Sequence, residues 1–238
     1  RARRAGPGVG NLPEPRSWGR LPVGRRVVLV GAGGFGRGVF EWMTTSPHHL
    51  ASFDIGDIVF VDDGAPQRVP PAPVIGCLRS YTPADDDRVL CTIAHPETRR
   101  RIVGRLEAIG CIFHTFVDDR AVLATNVQIG PGGVLCPNVD LSASVKLEAH
   151  VHINFNSSIG HDVTIGSFTT VSPSVNIMGE TAIGERVFLG GSSVVLPRLS
   201  VRDDAVIGAG AVVLSSVRTA VPVVGNPAAA KEPESESK

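Results

Sequence analysis

Residues 157–184, SSIGHDVTIGSFTTVSPSVNIMGETAIG, carry an aliphatic residue at every sixth position: Ile159, Ile165, Val171, Ile177 and Ile183. The same register runs back to Val117 and forward to Val213 without a break. The position two before each aliphatic is small or Val, as at Ser157, Val163, Thr169, Val175 and Thr181, with Leu199 the one larger residue. Glycine often follows the aliphatic, as at Gly130, Gly160, Gly166, Gly184, Gly190 and Gly208. Two inward positions separated by one outward residue describe a short strand. A strand that restarts every six residues must turn a tight corner each time, and this describes the flat sides of a prism, a parallel β-helix.

Three such repeats close one coil, so residues eighteen apart in the chain are stacked neighbours about 4.8 Å from each other. No long insertion interrupts the repeats, so any site must be built from coil residues and from the segment that precedes them. The flat outer faces and open edges of a prism associate readily, and a homotrimer with sites between neighbouring prisms is the expectation.

Bulk properties narrow the class. The 238 residues contain 23 Lys plus Arg against 23 Asp plus Glu, which supplies neither a basic field for nucleic acid nor an acidic tail. Cys77, Cys91, Cys111 and Cys136 lack C-x-x-C spacing, so neither a zinc site nor a disulfide framework is expected. The first residues lack the apolar run of a signal peptide and no membrane-length apolar stretch occurs, which predicts a cytoplasmic protein without a membrane partner.

Ahead of the repeats, RVVLV (26–30) enters Gly31-Ala-Gly-Gly-Phe-Gly36, then a helix-like segment from Arg37 to Met43, then the apolar run from Ile58 ending in Asp62 and Asp63. Strand, glycine turn, helix and strand predict a β-α-β, half-Rossmann-like unit. A further strand at 88–93 and a basic helix at 96–110 follow. The predicted organisation is a flexible lead-in (1–24), a small α/β domain (25–116), the β-helix (117–218), and a C-terminal segment with a disordered charged tail (219–238). Gly31, Gly33 and Gly36 satisfy G-x-G-x-x-G, which also suits a dehydrogenase. A domain of this size cannot complete a dinucleotide fold and a substrate domain, and a dehydrogenase leaves the β-helix unexplained. One nucleotide fits better: the N–H groups around Gly31, Gly33, Gly34, Phe35 and Gly36 would take phosphates, and Asp62 or Asp63 would meet base or ribose. A purely structural turn is the alternative.

Within the repeats His161 stands at a corner, two residues after Ile159 and followed by Asp162. An exposed imidazole beside a carboxylate suits a general base. Gly179, eighteen residues later, should stack on His161, where its unhindered N–H would stabilise an oxyanion. A solvated corner histidine above a turn glycine is the alternative. His152 precedes Ile153 and points outward, stacked on Thr170; His150 is expected to be a solvated corner residue. Asn154 and Asn156 face the same region. These histidines lack an acidic or cysteine partner at ligand spacing, so no metal is expected.

From Gly31 to Pro227 the chain resembles the sialic acid O-acetyltransferase and UDP-amino-sugar N-acetyltransferase family, hexapeptide-repeat enzymes with a left-handed parallel β-helix behind a nucleotide-binding β-α-β domain. GAGGFG with FVDD downstream, NSSIGHDVTIGSFTTVSPSVNIMG, FLGGSSVVLP, IGAGAVV and VGNPA carry the resemblance. It implies that His161 is the base that deprotonates the acceptor as it attacks the acetyl-CoA thioester, and that the Gly179 N–H meets the thioester carbonyl. It implies that acyl-CoA lies over Gly190, Gly191, Gly208 and Ala209, with Pro227 near the outer end, and that Thr170 stands where some relatives place a cofactor-contacting histidine. His152 would then supply what Thr170 lacks.

Departures from the family pattern concentrate on the acceptor side. Phe35 replaces a histidine near the bound sugar nucleotide, Ala94-His95 replaces Gly-Asn, and Ala229 stands where Lys or Arg is usual. His95 partly compensates. The expected activity is therefore acyl-CoA-dependent N-acylation of an amino sugar, nucleotide-linked, within a ternary complex. A sugar hydroxyl, a secondary-metabolite amine or a non-catalytic nucleotide-sugar scaffold are the alternatives.

Overall fold

The computed structural model describes residues 24–64, 69–219 and 221–231. Most of the expected lead-in and most of the charged tail lie outside these residues.

The first unit is a parallel sheet. Strand β1 (Arg25–Val30) lies between β2 (Ile55–Val61) and β4 (Asp87–Cys91), with the short β3 (Val74–Gly76) on the outer edge of β2. Helix α1 (Gly34–Thr44) follows the glycine turn, α2 (Pro47–Ser52) leads into β2, and α3 (Pro96–Ala108) follows β4. Periodicity did not announce α2: its six residues are too few for a helical repeat, and proline at the first turn is its one local signal. Val27, Val28, Leu29, Val59, Phe60, Val61, Val89 and Leu90 are buried, as strands covered on both faces must be.

The second unit is the parallel β-helix, with two-residue strands in three sheets and pairing at eighteen-residue spacing, such as His152 with Thr170 and Ser158 with Asn176. The aliphatics from Leu135 to Val213 and the small residues two before them fill the interior. Hydroxyls at the small positions bridge successive coils. Ser157 Oγ donates to Ser172 O (3.0 Å) and accepts from Val175 N (3.2 Å), and Thr169 Oγ1 does the same with Gly184 O (2.8 Å) and Val187 N (3.0 Å). This is how Ser157 and Thr169 substitute for Val inside the prism with their hydroxyls satisfied, whereas Ser193 Oγ, at the same kind of position, is buried without a partner.

One residue per repeat turns the corner in the left-handed region, from Asn126 (φ 59°) through Asp162 (φ 58°) to Gly210 (φ 68°). Asn, Asp and Gly favour that conformation, but Phe168 and Arg198 adopt it too, held by the coils on either side. Beyond the hexads, Val223–Val224 pairs with Ile207 and, antiparallel, with Ala229–Ala230, extending one sheet. Among the described residues no helix is long and apolar enough to cross a membrane.

Arg99 joins the two units. It projects from α3 and is wholly buried without a carboxylate partner. Its guanidinium donates to Ile93 O (2.7 Å) and Ala94 O (3.0 Å) on its own side, and to His150 O (3.1 Å), Phe168 O (2.5 Å), Thr169 O (3.2 Å) and Thr170 Oγ1 (3.0 Å) on the β-helix. Burial draws its pKa down to about 10, so it stays charged at neutral pH. Three expected placements change for this reason. Thr170 lies under the first unit and donates to Ala94 O (2.6 Å). His152 does point out of the prism, but the same packing buries it against Phe35. His150 is no solvated corner: it is buried, stacked on Phe168 and edge-on to Phe113.

A second junction pairs His49 of α2 with His114, Nε2 to Nε2 at 2.8 Å, so one ring donates and the other accepts. Burial holds His49 down to about 4 and His114 down to about 3, and burial with Arg99 nearby holds His150 at about 4.

Two predictions come from these junctions. Arg99→Ala orphans buried carbonyls and should lower the unfolding free energy by about 3 kcal/mol or more in urea titration, with Arg99→Lys failing to restore it because an ammonium cannot span six acceptors. The three histidines titrate near 6.5 when unfolded, so the unfolded chain binds more protons as pH falls below that value. Stability should be fully present above about pH 6.5 and fall on acidification toward pH 4, on the order of 1–2 kcal/mol per histidine by pH 5. Urea titrations between pH 7 and pH 5 check the slope.

Candidate active site

His161 and Asp162 form the two-residue corner between the Ser158–Ile159 and Thr164–Ile165 strands. His161 Nδ1 lies 2.8 Å from Asp162 Oδ2, and the side chains are 57% and 60% exposed, so the pair is open to a ligand. With Asp162 ionised, Nδ1–H donates to it and the lone pair is left on Nε2. Asp162 can reach back to its neighbour because its own backbone is left-handed (φ 58°), anchored by its N–H on Ala143 O (3.0 Å).

Gly179 lies one coil above. A Cβ on Gly179 would come within 2.6 Å of His161 Nε2, so the missing side chain leaves the room in which the imidazole sits. Its backbone φ is ordinary, so conformation alone does not demand glycine there. The Gly179 N–H has no acceptor among the described residues. Corner N–H groups are left free at many coils of this fold, but here a second obstacle is missing as well. A Cβ on Gly160 would lie 2.5 Å from Gly179 N, so that glycine opens the N–H to solvent. By spacing Gly160 reads as one more repeat glycine, although the same residue-to-N–H relation follows from the coil register. Below Gly179 the outer face carries a groove of about 570 Å³, lined by Asp140, Ser158, Asn176, Met178 and Val194 among others. Ser158 Oγ donates to Asn176 Oδ1 (2.7 Å) along its wall.

Gly190 and Ala209 repeat this relation at another corner, where a Cβ on Gly190 would lie 2.5 Å from Ala209 N. Gly191 is unobstructed there apart from Pro173 O at 3.4 Å. A Cβ on Gly208 would lie 2.7 Å from Val224 Cγ1, so the C-terminal segment packs beside this partly exposed glycine. Pro227 is exposed on that segment.

The glycine turn divides its labour. Gly31 (φ 108°) and Gly36 are buried packing glycines, a Cβ on Gly36 running into Gly31 O. Gly33 and Gly34 are exposed and face open space at the start of α1, whose first turn has neither a side-chain cap nor an acidic residue. Free N–H groups at a helix start attract an anion. Arg37, unremarked in the sequence, donates to Ala32 O (3.0 Å) and adds a cation there. Asp62 commits both oxygens to the backbone, accepting from Ala32 N (2.6 Å) and Gly64 N (2.7 Å). Asp63 accepts from Leu78 N through Oδ1 (2.7 Å) and keeps Oδ2. His95 caps α3, its Nδ1 accepting weakly from Thr98 N (3.4 Å). Phe35 meets Trp42 edge-on at 6.4 Å, and Trp42 meets Phe155 at 6.1 Å. Asn154 spends Oδ1 on Phe155 N (2.9 Å), and Asn156 pairs with Asn138.

His161 and Gly179 therefore occupy one edge of the prism, while Gly190, Ala209 and Asn154 lie on another, beside the first unit. Among the described residues no three of His, Cys, Asp and Glu converge as metal ligands.

Known proteins share this architecture. A sequence profile described as "Hexapeptide repeat of succinyl-transferase" matches residues 180–215. WeeI from Acinetobacter baumannii AYE is 30% identical with a TM-score of 0.77, covering 86% of this chain and 99% of its own. The chain belongs to the hexapeptide-repeat acyltransferases. The acetyltransferase domain of PglB from Neisseria gonorrhoeae FA1090, solved in complex with acetyl coenzyme A, is 27% identical with a TM-score of 0.79 and covers 88% of this chain and 100% of its own. A GDP-perosamine N-acetyltransferase from Escherichia coli O157:H7 is 28% identical over 87 residues, which is 37% of this chain and 39% of that protein. In this hexapeptide-repeat acyltransferase the free corner N–H of Gly179 lies above an imidazole oriented by Asp162.

Gly179→Ala tests that arrangement. Its Cβ should displace the imidazole and reduce kcat about a hundredfold, the scale of a misplaced catalytic group, while the circular dichroism and melting temperature stay near those of the parent.

Proposed function

We propose that this hexapeptide-repeat acyltransferase is an acetyl-CoA-dependent N-acyltransferase whose acceptor is the amine of a nucleotide-linked amino sugar. The observation that carries the reading is His161 Nε2 lying directly beside Gly179, with Nδ1 held by Asp162 at 2.8 Å. The relatives support the chemistry: one is named for N-acetyl transfer to GDP-perosamine and another was solved with acetyl coenzyme A.

In this reading His161 Nε2 accepts a proton from the acceptor amine as the nitrogen forms its bond to the thioester carbonyl carbon. Asp162 keeps the imidazole in the tautomer that can accept and stabilises the imidazolium that results. The Gly179 N–H donates to the carbonyl oxygen as negative charge builds there. When the carbon–sulfur bond breaks, the imidazolium returns its proton to the departing sulfur, which leaves His161 neutral for the next cycle. The acyl donor supplies only the activated carbonyl. Its pantetheine would run along the edge opened by Gly190, Gly191 and Ala209 toward Pro227, with Gly208 beside Val224.

On the acceptor side, Gly33, Gly34 and Arg37 would hold phosphates, Asp63 Oδ2 would accept from the nucleoside, and Phe35 would pack against the sugar. This reading gives no ligand contact to Thr170, expected at the cofactor, or to His152 and Asp62, expected at the acceptor: the first two are buried and Asp62 spends both oxygens on backbone N–H groups. Placing His161 and the glycine turn on different edges supports a homotrimer in which neighbouring prisms complete each site.

Thiol release from acetyl-CoA, measured against nucleotide-linked amino sugars, free amino sugars and their hydroxyl counterparts, tests the proposal. One amino sugar should support release, and His161→Ala should reduce it at least about a hundredfold. Release independent of His161, or a hydroxyl counterpart preferred to every amine, would overturn the assignment.

A further inference from the structure

At the far end of the α/β unit a cleft of about 190 Å³ opens between the first residues of β1 and β4, the end of α2, and the chain entering the β-helix. Phe53, Ile112 and Phe113 form its apolar walls, and Arg25, Arg88 and His114 line it as well. Ile112 is 55% exposed and Phe53 40% exposed, unusual for side chains that border a hollow this size. Arg25 forms no ion pair among the described residues, and the Arg88 guanidinium donates only to the carbonyls of Asp85 (3.2 Å) and Asp87 (2.8 Å). Neither cation is neutralised by a carboxylate.

His114 adds an independent observation. It is 4% exposed, its Nε2 is committed to His49, and its Nδ1 has no protein partner among the described residues. Beyond burial and the neighbouring His49, the charges that act on it are Arg88 and Arg25, both positive, and together these hold it at about 3. Asp118 and Asp119 act on His49 from the other side of the pair. Two guanidinium groups without a carboxylate partner and an apolar wall therefore meet at one cleft, beside a buried imidazole whose Nδ1 has no protein partner among the described residues.

We propose that this cleft binds a small organic monoanion, a carboxylate on a compact apolar body such as a single ring. The two arginines would pair with the carboxylate at the mouth while the apolar body fills the space between Phe53, Ile112 and Phe113. The size is suited to one ring, since a cavity of about 150 Å³ is enough for benzene. A nucleotide or CoA is too large for it. The cleft lies at the start of β1 and the glycine turn at its end, about 20 Å away. It is therefore separate from the acceptor site, and its occupancy does not depend on the reaction proposed above.

Benzoate is the probe, with benzamide as its uncharged isostere, titrated into the whole chain while the His114 imidazole nitrogens are followed by long-range 1H–15N correlation. Benzoate should shift His114 saturably, benzamide should bind at least about tenfold more weakly, and Arg25→Gln should weaken benzoate by about tenfold, the scale of one charge-assisted contact. Arg25 is exposed, so this variant should fold as the parent does, and Arg88→Gln provides a second removal of charge. Unchanged His114 resonances at saturating benzoate, equal affinity for benzamide, or full affinity in both arginine variants would each overturn the proposal.

Discussion

The structure depends on the eighteen-residue stacking register of the coils. Each backbone N–H on a flat side finds the carbonyl of the next coil, so the ladder leaves few choices to individual side chains. What it does leave is one outward corner N–H per side, free unless a neighbouring side chain covers it. Gly160 and Gly179 keep that group open where His161 can lie beneath it, and Gly190 does the same at Ala209. Open backbone donors in this prism come from subtracting side chains at a few corners.

Attachment of the α/β unit is a different kind of problem. A prism face offers outward side chains of mixed character, and here the unit is secured by a buried guanidinium that satisfies six oxygens, four of them across the junction. Arginine suits this because its planar fork donates in several directions at once and stays charged when buried. The cost of burying that charge is offset by carbonyl dipoles, with no carboxylate involved. The same junction hides Thr170 and His152, so the polar groups on that face serve assembly of the molecule.

The α/β unit carries further specialisation in its glycine turn. Gly31 and Gly36 make the turn and the close helix–strand contact, whereas Gly33 and Gly34 leave backbone donors exposed. Phe35, Trp42 and Phe155 form a chain of rings from that turn to the prism edge, in place of the hydrogen-bonding residue the family pattern carries at Phe35. Under the proposed function, ring contacts at this turn would select an acceptor by shape and apolar surface.

The sequence by itself determined the β-helix, because a strict hexad of aliphatics has one compact solution, and the register then placed Gly179 over His161 without coordinates. It also determined the strand, glycine turn and helix of the first unit, since each has a local signature. Tertiary structure alone decided which outward residues remain outward. His152 and His150 read as surface groups because strand and corner phase report only inside or outside the prism, and nothing in that phase says that a second unit covers one face. Arg99 was one arginine in a basic helix, Asp62 a free carboxylate at a strand end, and Gly208 an open groove glycine, until long-range packing gave each a partner. Contacts between residues distant in sequence have no periodic signature, and these contacts separate the exposed His161 corner from its buried neighbours.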